Sequence, residues 1–188
     1  IKFNDINLSS YPDDVINSEY ESDTIYLRRY AGWWACRIRT NSIKLYYKVN
    51  GIVTRIPAED ISIDEAASTN VQSGSYANLL DDNITTEYRS VDANIPGSTN
   101  TKAVIKIDLS KPYVIEKIEI HKEPGSLDTD SSNGWINEIE FKNGSTVVMA
   151  NTGWTGLYDN ATPLIADEAF ATFTPSYISD ITQKLIIK

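Results

Sequence analysis

Period-two alternation of apolar and polar residues runs through most of the chain, while helical periodicity is scarce. In residues 42–49, Ile43, Leu45, Tyr47 and Val49 share one face, and Ser42, Lys44, Tyr46 and Lys48 share the other. Asn50-Gly51 follows, and then a second apolar run to Pro57. An Asn-Gly pair between two such runs predicts a hairpin, because both central residues of the tight turn need positive φ. Residues 24–30 and 33–39 read as further strands, and residues 1 to about 22 as a polar, extended arm. Farther along, Ala103, Ile105, Ile107 and Leu109 face one way, and Ile118 and Ile120 continue the pattern after a predicted Lys111-Pro112-Tyr113 turn. Residues 135–153 predict another hairpin, turning at Asn143-Gly144, with Trp135, Ile139 and Phe141 on its core face. Residues 171–175 and 183–188 supply the last strands.

Many short strands with regular turn signals predict an all-β, antiparallel sandwich or barrel. A boundary is expected near residues 57–68. On this reading residues 1–62 form an N-terminal arm and a small β-hairpin unit, and residues 63–188 form a sandwich. There is no internal repeat and no low-complexity tract.

Composition narrows the function classes. The net charge of −9 argues against a basic field for nucleic acid, so no nucleic-acid partner is expected. It leaves carboxylates available for a hard cation such as Ca²⁺. No run approaches the ~20 apolar residues of a membrane helix, so no membrane insertion is expected. Eleven Tyr and four Trp suit both strands and flat, semi-polar binding surfaces. The lone Cys36 forms no intrachain disulfide and reads as a buried thiol. The chain begins at Ile1 with neither an initiator Met nor a signal peptide, which reads as a processed protein or an excised fragment. Usage rich in Ile, Asn, Lys, Asp and Tyr fits an AT-rich bacterial or phage genome, and with it an extracellular, bacterial-surface or virion location.

Three stretches carry a family resemblance. They are Ala67-Ser68-Thr69, then the loop with Asn78, Asp81, Thr86 and Tyr88, then the run from Val104 through Asp108-Leu109-Ser110-Lys111-Pro112 to Ile120. From about residue 63 onward this order resembles the coagulation factor V/VIII type C, or discoidin, domains, a galactose-binding-like group that includes family 32 carbohydrate-binding modules. The resemblance implies a jelly-roll β-sandwich. It also implies a loop-bound structural Ca²⁺ and ligand-binding loops at one end of the sandwich. Departures are Asp82 where the family has Gly, Tyr88 where it has Trp, and no closing strand with a calcium-binding glutamate after residue 188.

Within that loop, Asp81, Asn83 and Thr86 offer side-chain oxygens within six positions, with Asn78 and Asp82 as further donors. The alternative is that Asp81 and Asn83 make Asx turns and Thr86 caps the backbone. A second acidic loop, with Asp128, Asp130 and Ser132, places Gly134 and Glu140 one residue late for an EF-hand and reads as solvated.

Candidate ligand contacts are Arg89, His121, Asn151, Trp154 and Tyr158. Trp154 and Tyr158 lie in a Gly-rich loop with Asn151, and Trp154 is either an exposed sugar platform or a core plug. His121 follows Ile120 and is expected to point away from the core, either toward a sugar hydroxyl or to solvent with no role. Arg89 binds a ligand oxygen or pairs with a nearby acid. Of the adjacent Trp33 and Trp34, one is expected to point inward.

No catalytic constellation is legible. With a single histidine there is no Ser-His-Asp order to propose, and the sequence holds no zinc ligand set or glycine-rich phosphate loop. The expected function is therefore non-catalytic. It is either a glycan-binding adhesion module or a structural domain of a particle, fibre or surface layer. The second reading has a homo-oligomer or larger assembly as its partner and an incomplete sandwich able to accept a neighbour's strand.

Overall fold

The computed structural model describes residues 20–31, 37–49, 51–91, 101–121, 136–152, 170–175 and 177. Among them the chain is all-β. Its strands are β1 (Glu21–Ala31), β2 (Arg39–Thr40), β3 (Ser42–Val49), β4 (Ile52–Arg55), β5 (Ile61–Ile63), β6 (Val71–Gly74), β7 (Tyr88–Ser90), β8 (Thr101–His121), β9 (Glu138–Asn143), β10 (Thr146–Thr152) and β11 (Phe170–Phe173). They make one eight-stranded sheet, ordered β10-β9-β1-β8-β3-β4 with β5 and β11 also pairing β8, and a three-stranded sheet β2-β7-β6. All the strand pairs are antiparallel. This is the β-sandwich character that the alternating pattern predicts.

The spine is β8. Ala103, Ile105, Ile107 and Leu109 are buried at every second position, as the pattern requires. The expected Lys111-Pro112-Tyr113 turn does not divide two strands. It is a bulge inside one strand: opposite β1, the register jumps from Thr24↔Asp108 to Ser22↔Tyr113. Pro112 has no N–H to give a ladder, so it sits where the ladder is already interrupted. A second irregularity follows. The register with β3 moves from Tyr47↔Ile115 to Tyr46↔Lys117, and the buried positions shift from Tyr113 and Ile115 to Ile118 and Ile120. The extra residue keeps an apolar face inward after the strand has bent.

The expected boundary at residue 62 does not divide the structure. β1 lies between β8 and β9, β3 pairs the second half of β8, and β5 itself runs across the boundary. Ile25, Leu27, Ile43, Leu45 and Ile56 share one hydrophobic core with Ile105, Ile107, Ile118, Ile120 and Phe141. The reason is physical. β1 carries backbone N–H and C=O groups along both edges, and it pairs them with a strand on each side, β8 and β9.

Both predicted hairpins form. Val49 pairs Ile52 around the first turn, where Gly51 has φ +78°. In the second, Asn143 still belongs to the ladder opposite Thr146, so the turn is Gly144-Ser145, one residue later than expected. Gly144 takes the positive φ, +57°. Residues 1–19, Trp33, Trp34, Cys36, Asp128, Asp130, Ser132, Gly134, Trp135 and the strand expected at 183–188 lie outside the described residues.

Candidate functional site on the outer sheet face

The loop between β6 and β7 is closed by its own side chains. A short 3-10 turn, Tyr76–Leu79, buries Leu79, and fully buried Tyr88 anchors the other end. Ser75 Oγ donates to Asn78 Oδ1 (2.7 Å), and Asn78 Nδ2 donates to the Glu87 carbonyl (2.7 Å). Asp81 Oδ1 accepts from the Asn83 N–H (2.9 Å), and its Oδ2 lies 2.7 Å from the Thr86 hydroxyl. Asn83 Oδ1 accepts from the Thr85 N–H and hydroxyl at 3.0 and 2.8 Å. Gly74 lets the strands meet here, since a Cβ on it would stand 1.6 Å from the Glu87 carbonyl oxygen.

These bonds match the Asx-turn alternative for Asp81 and Asn83. Calcium asks for six to eight oxygens. The loop turns only Asp81 inward as a carboxylate, because Asp82 is directed to Arg55. Among the described residues no group of three or more His, Cys, Asp or Glu is placed to hold a metal. In the folded loop the side-chain oxygens of Asp81 and Asn83 are taken up by these internal hydrogen bonds.

Asp82 accounts for a departure from the family pattern. Its φ is +60°, the left-handed region that favours Gly and that Asp tolerates better than most residues. The carboxylate then reaches Arg55 through two hydrogen bonds, 2.5 and 2.6 Å, with Lys44 Nζ at 3.9 Å. The hydrogen bond from Arg55 is the main cause holding the Asp82 carboxyl below the usual carboxylate range. Asn41 Nδ2 ties the other side of the loop by donating to the Ile84 carbonyl (2.8 Å). The loop is thus clamped over the outer face of β3, β4 and β8.

Beneath it lies a small hollow lined by Ser42, Lys44, Ile84, Glu119 and His121. The register explains the grouping: Ser42 opposes His121 and Lys44 opposes Glu119, so all four project from one face. Tyr46 continues that face. Its hydroxyl donates to Glu119 Oε2 (2.7 Å), Lys117 Nζ pairs Glu119 Oε1 (2.6 Å), and Lys117 lies 4.0 Å from the Tyr46 ring centroid. Burial pushes the Glu119 carboxyl up, but hydrogen bonds from Lys117 and Tyr46 outweigh it and hold the group below its ordinary range. Burial and the Glu119 hydrogen bond push the Tyr46 hydroxyl up to about 12. Burial first, and Lys44 second, lower the His121 pKa, favouring the neutral imidazole.

The expected site residues fare differently. His121 does turn away from Ile120 and the core, yet it is only 5% exposed, because the 81–86 loop covers that face. Arg89 lies on β7 opposite Arg39, which pairs Glu87 at 3.0 Å. Arg89 and His121 reach one corner: Thr40, the partner of Tyr88, donates to the His121 carbonyl (2.8 Å). Asn151 is elsewhere. It pairs Ile139, which pairs Leu27, which pairs Ile105 near the start of β8, whereas His121 ends that strand. Trp154 and Tyr158 lie outside the described residues. Lys44, Tyr46 and Glu119 were not among the expected contacts. Their signal was the polar half of the alternation in residues 42–49 and 118–121.

No family model, curated protein or solved structure matches the chain. Among the described residues no helix is long and apolar enough to cross a membrane. The face offers an ammonium donor, a carboxylate acceptor, a hydroxyl and one apolar wall beside an aromatic ring. That is the chemistry of holding a polar ligand.

Proposed function

We propose that this chain is a non-catalytic glycan-binding module of a secreted, cell-surface or phage adhesin protein, meeting its ligand on the outer face around Lys44, Tyr46, Glu119 and His121. The observation that supports it is the hollow, where donor and acceptor side chains converge beside Ile84, with its Glu119 also accepting from the Tyr46 hydroxyl. Sugars present hydroxyls on their edges and C–H groups on a face, and such a surface answers both. The discoidin resemblance of residues 63–188 supports the same reading. The family's calcium is not part of it.

A glycan array on the folded chain tests the proposal. Binding is expected, and Lys44→Ala or Glu119→Gln is expected to weaken it by about tenfold or more, the worth of a hydrogen bond to a charged group. A blank array with folded protein overturns it. A structural, assembly role is the second reading, and the exposed apolar residues at the β3–β4 tip favour it.

A further inference from the structure

The β3–β4 hairpin ends in a protruding apolar tip. Val49 is 40% exposed, Ile52 67% and Val53 47%. Ile52 and Val53 are neighbours on a strand and so point to opposite faces, which means that neither face of the tip is covered. A Cβ on Gly51 would meet nothing within 4 Å. Among the described residues β4 pairs only β3, so its outer edge presents unpaired backbone groups. The hairpin is also basic: residues 42–56 hold Lys44, Lys48 and Arg55 with no Asp or Glu, in a chain of net charge −9. Lys44 and Arg55 are drawn to Asp82, which leaves exposed Lys48 as the tip's outward charge.

A second edge has the opposite character. Residues 58–67 hold Glu59, Asp60, Asp64 and Glu65 with no Lys or Arg. Asp60 and Asp64 are held by Tyr113 and Lys106, while Glu59 and Glu65 face solvent on either side of β5. Among the described residues β5 pairs only β8. Extended β4, rising about 3.3 Å per residue, holds the tip away from its own acidic run.

We propose that the β3–β4 tip of one copy docks on the acidic β5 edge of a second copy. The contact is head to tail: Val49, Ile52 and Val53 lose their exposure, and Lys48 meets Glu59 and Glu65. It joins two different patches, so it builds rings or open chains of subunits. It does not rest on the glycan reading, and it gives the assembly role a concrete interface.

Sedimentation velocity of the whole chain over a concentration series, at low and high salt, tests it. Concentration-dependent oligomers that weaken with salt are expected. Ile52→Asp with Val53→Asp is expected to leave a monomer. Lys48→Glu and Glu65→Lys, both at exposed positions, are each expected to weaken association several-fold alone and to restore it when the two proteins are mixed. A monomer at every concentration overturns the proposal. So do oligomers that survive the tip substitutions, or charge reversals whose mixture fails to restore association.

Discussion

The two halves of β8 have the same inner face and very different outer faces. In the first half the strand pairs β1 from Thr101 to Asp108 and β5 from Ile107 to Leu109, and in the second it pairs β3 from Ile115 to His121 and β11 from Ile118 to His121. In the first half the outer charges are consumed locally. Lys106 pairs both Asp64 (2.7 Å) and Asp108 (3.2 Å), and on the neighbouring strands Arg28 bridges Glu138 and Glu140 beside the Tyr26 ring. Even the edge backbone is satisfied there, because Thr69 Oγ1 and Ser68 Oγ accept from the N–H groups of Val104 and Lys106. In the second half a loop lies across the face and leaves a hollow between Lys44, Glu119, His121 and Ile84. The lesson is that alternation alone makes a sheet, and the element laid over its polar side decides whether that side is structure or site.

The strongest way to break the comparison is through the shared inner face. Ile105→Ala and Ile118→Ala each remove a fully buried side chain and are expected to cost about 2–5 kcal/mol in urea unfolding. A single transition in both variants is expected, since both residues belong to one core. Two separate transitions would make the halves independent units and revive the boundary at residue 62.

A smaller effect separates the outer faces by pH. His121 titrates below its ordinary 6.5 in the folded state, so its contribution is present above that value and is lost as pH falls through the folded pKa. Glu119 and Asp82, also lowered, contribute stability that is present above their ordinary carboxylate values and is lost as pH falls from there through the lower folded pKa, a more acidic window than that of His121. The melting temperature is therefore expected to fall in two stages on acidification, with His121→Gln removing the first. A variant curve identical to the parent between pH 7 and 5 would show that His121 is not held neutral.

The smallest effects concern the loop. Asp82→Gly relieves a positive φ but loses an exposed ion pair, terms of opposite sign and each up to about 1 kcal/mol, so the melting temperature is expected to move little. Calcium against EDTA is expected to leave it unchanged. A calcium-dependent rise that Asp81→Ala abolishes would instead give the loop the metal role its family resemblance implies.

By itself the sequence determined the local facts: the strand class, both hairpins, and the buried set Ile43, Leu45, Ala103, Ile105, Ile107, Ile118, Ile120, Ile139 and Phe141, while for Asp81 and Asn83 it left Asx turns and a metal site as alternatives. Side-chain alternation and turn geometry are properties of neighbouring residues, so they can be read along the chain. Only the tertiary structure decided that β1 is an interior strand, that β8 runs on through Pro112, and that His121 is covered. It also decided that Asp82 answers Arg55. Each of these depends on which distant strand or loop supplies the partner, and one alternating pattern admits several partners until the register is chosen.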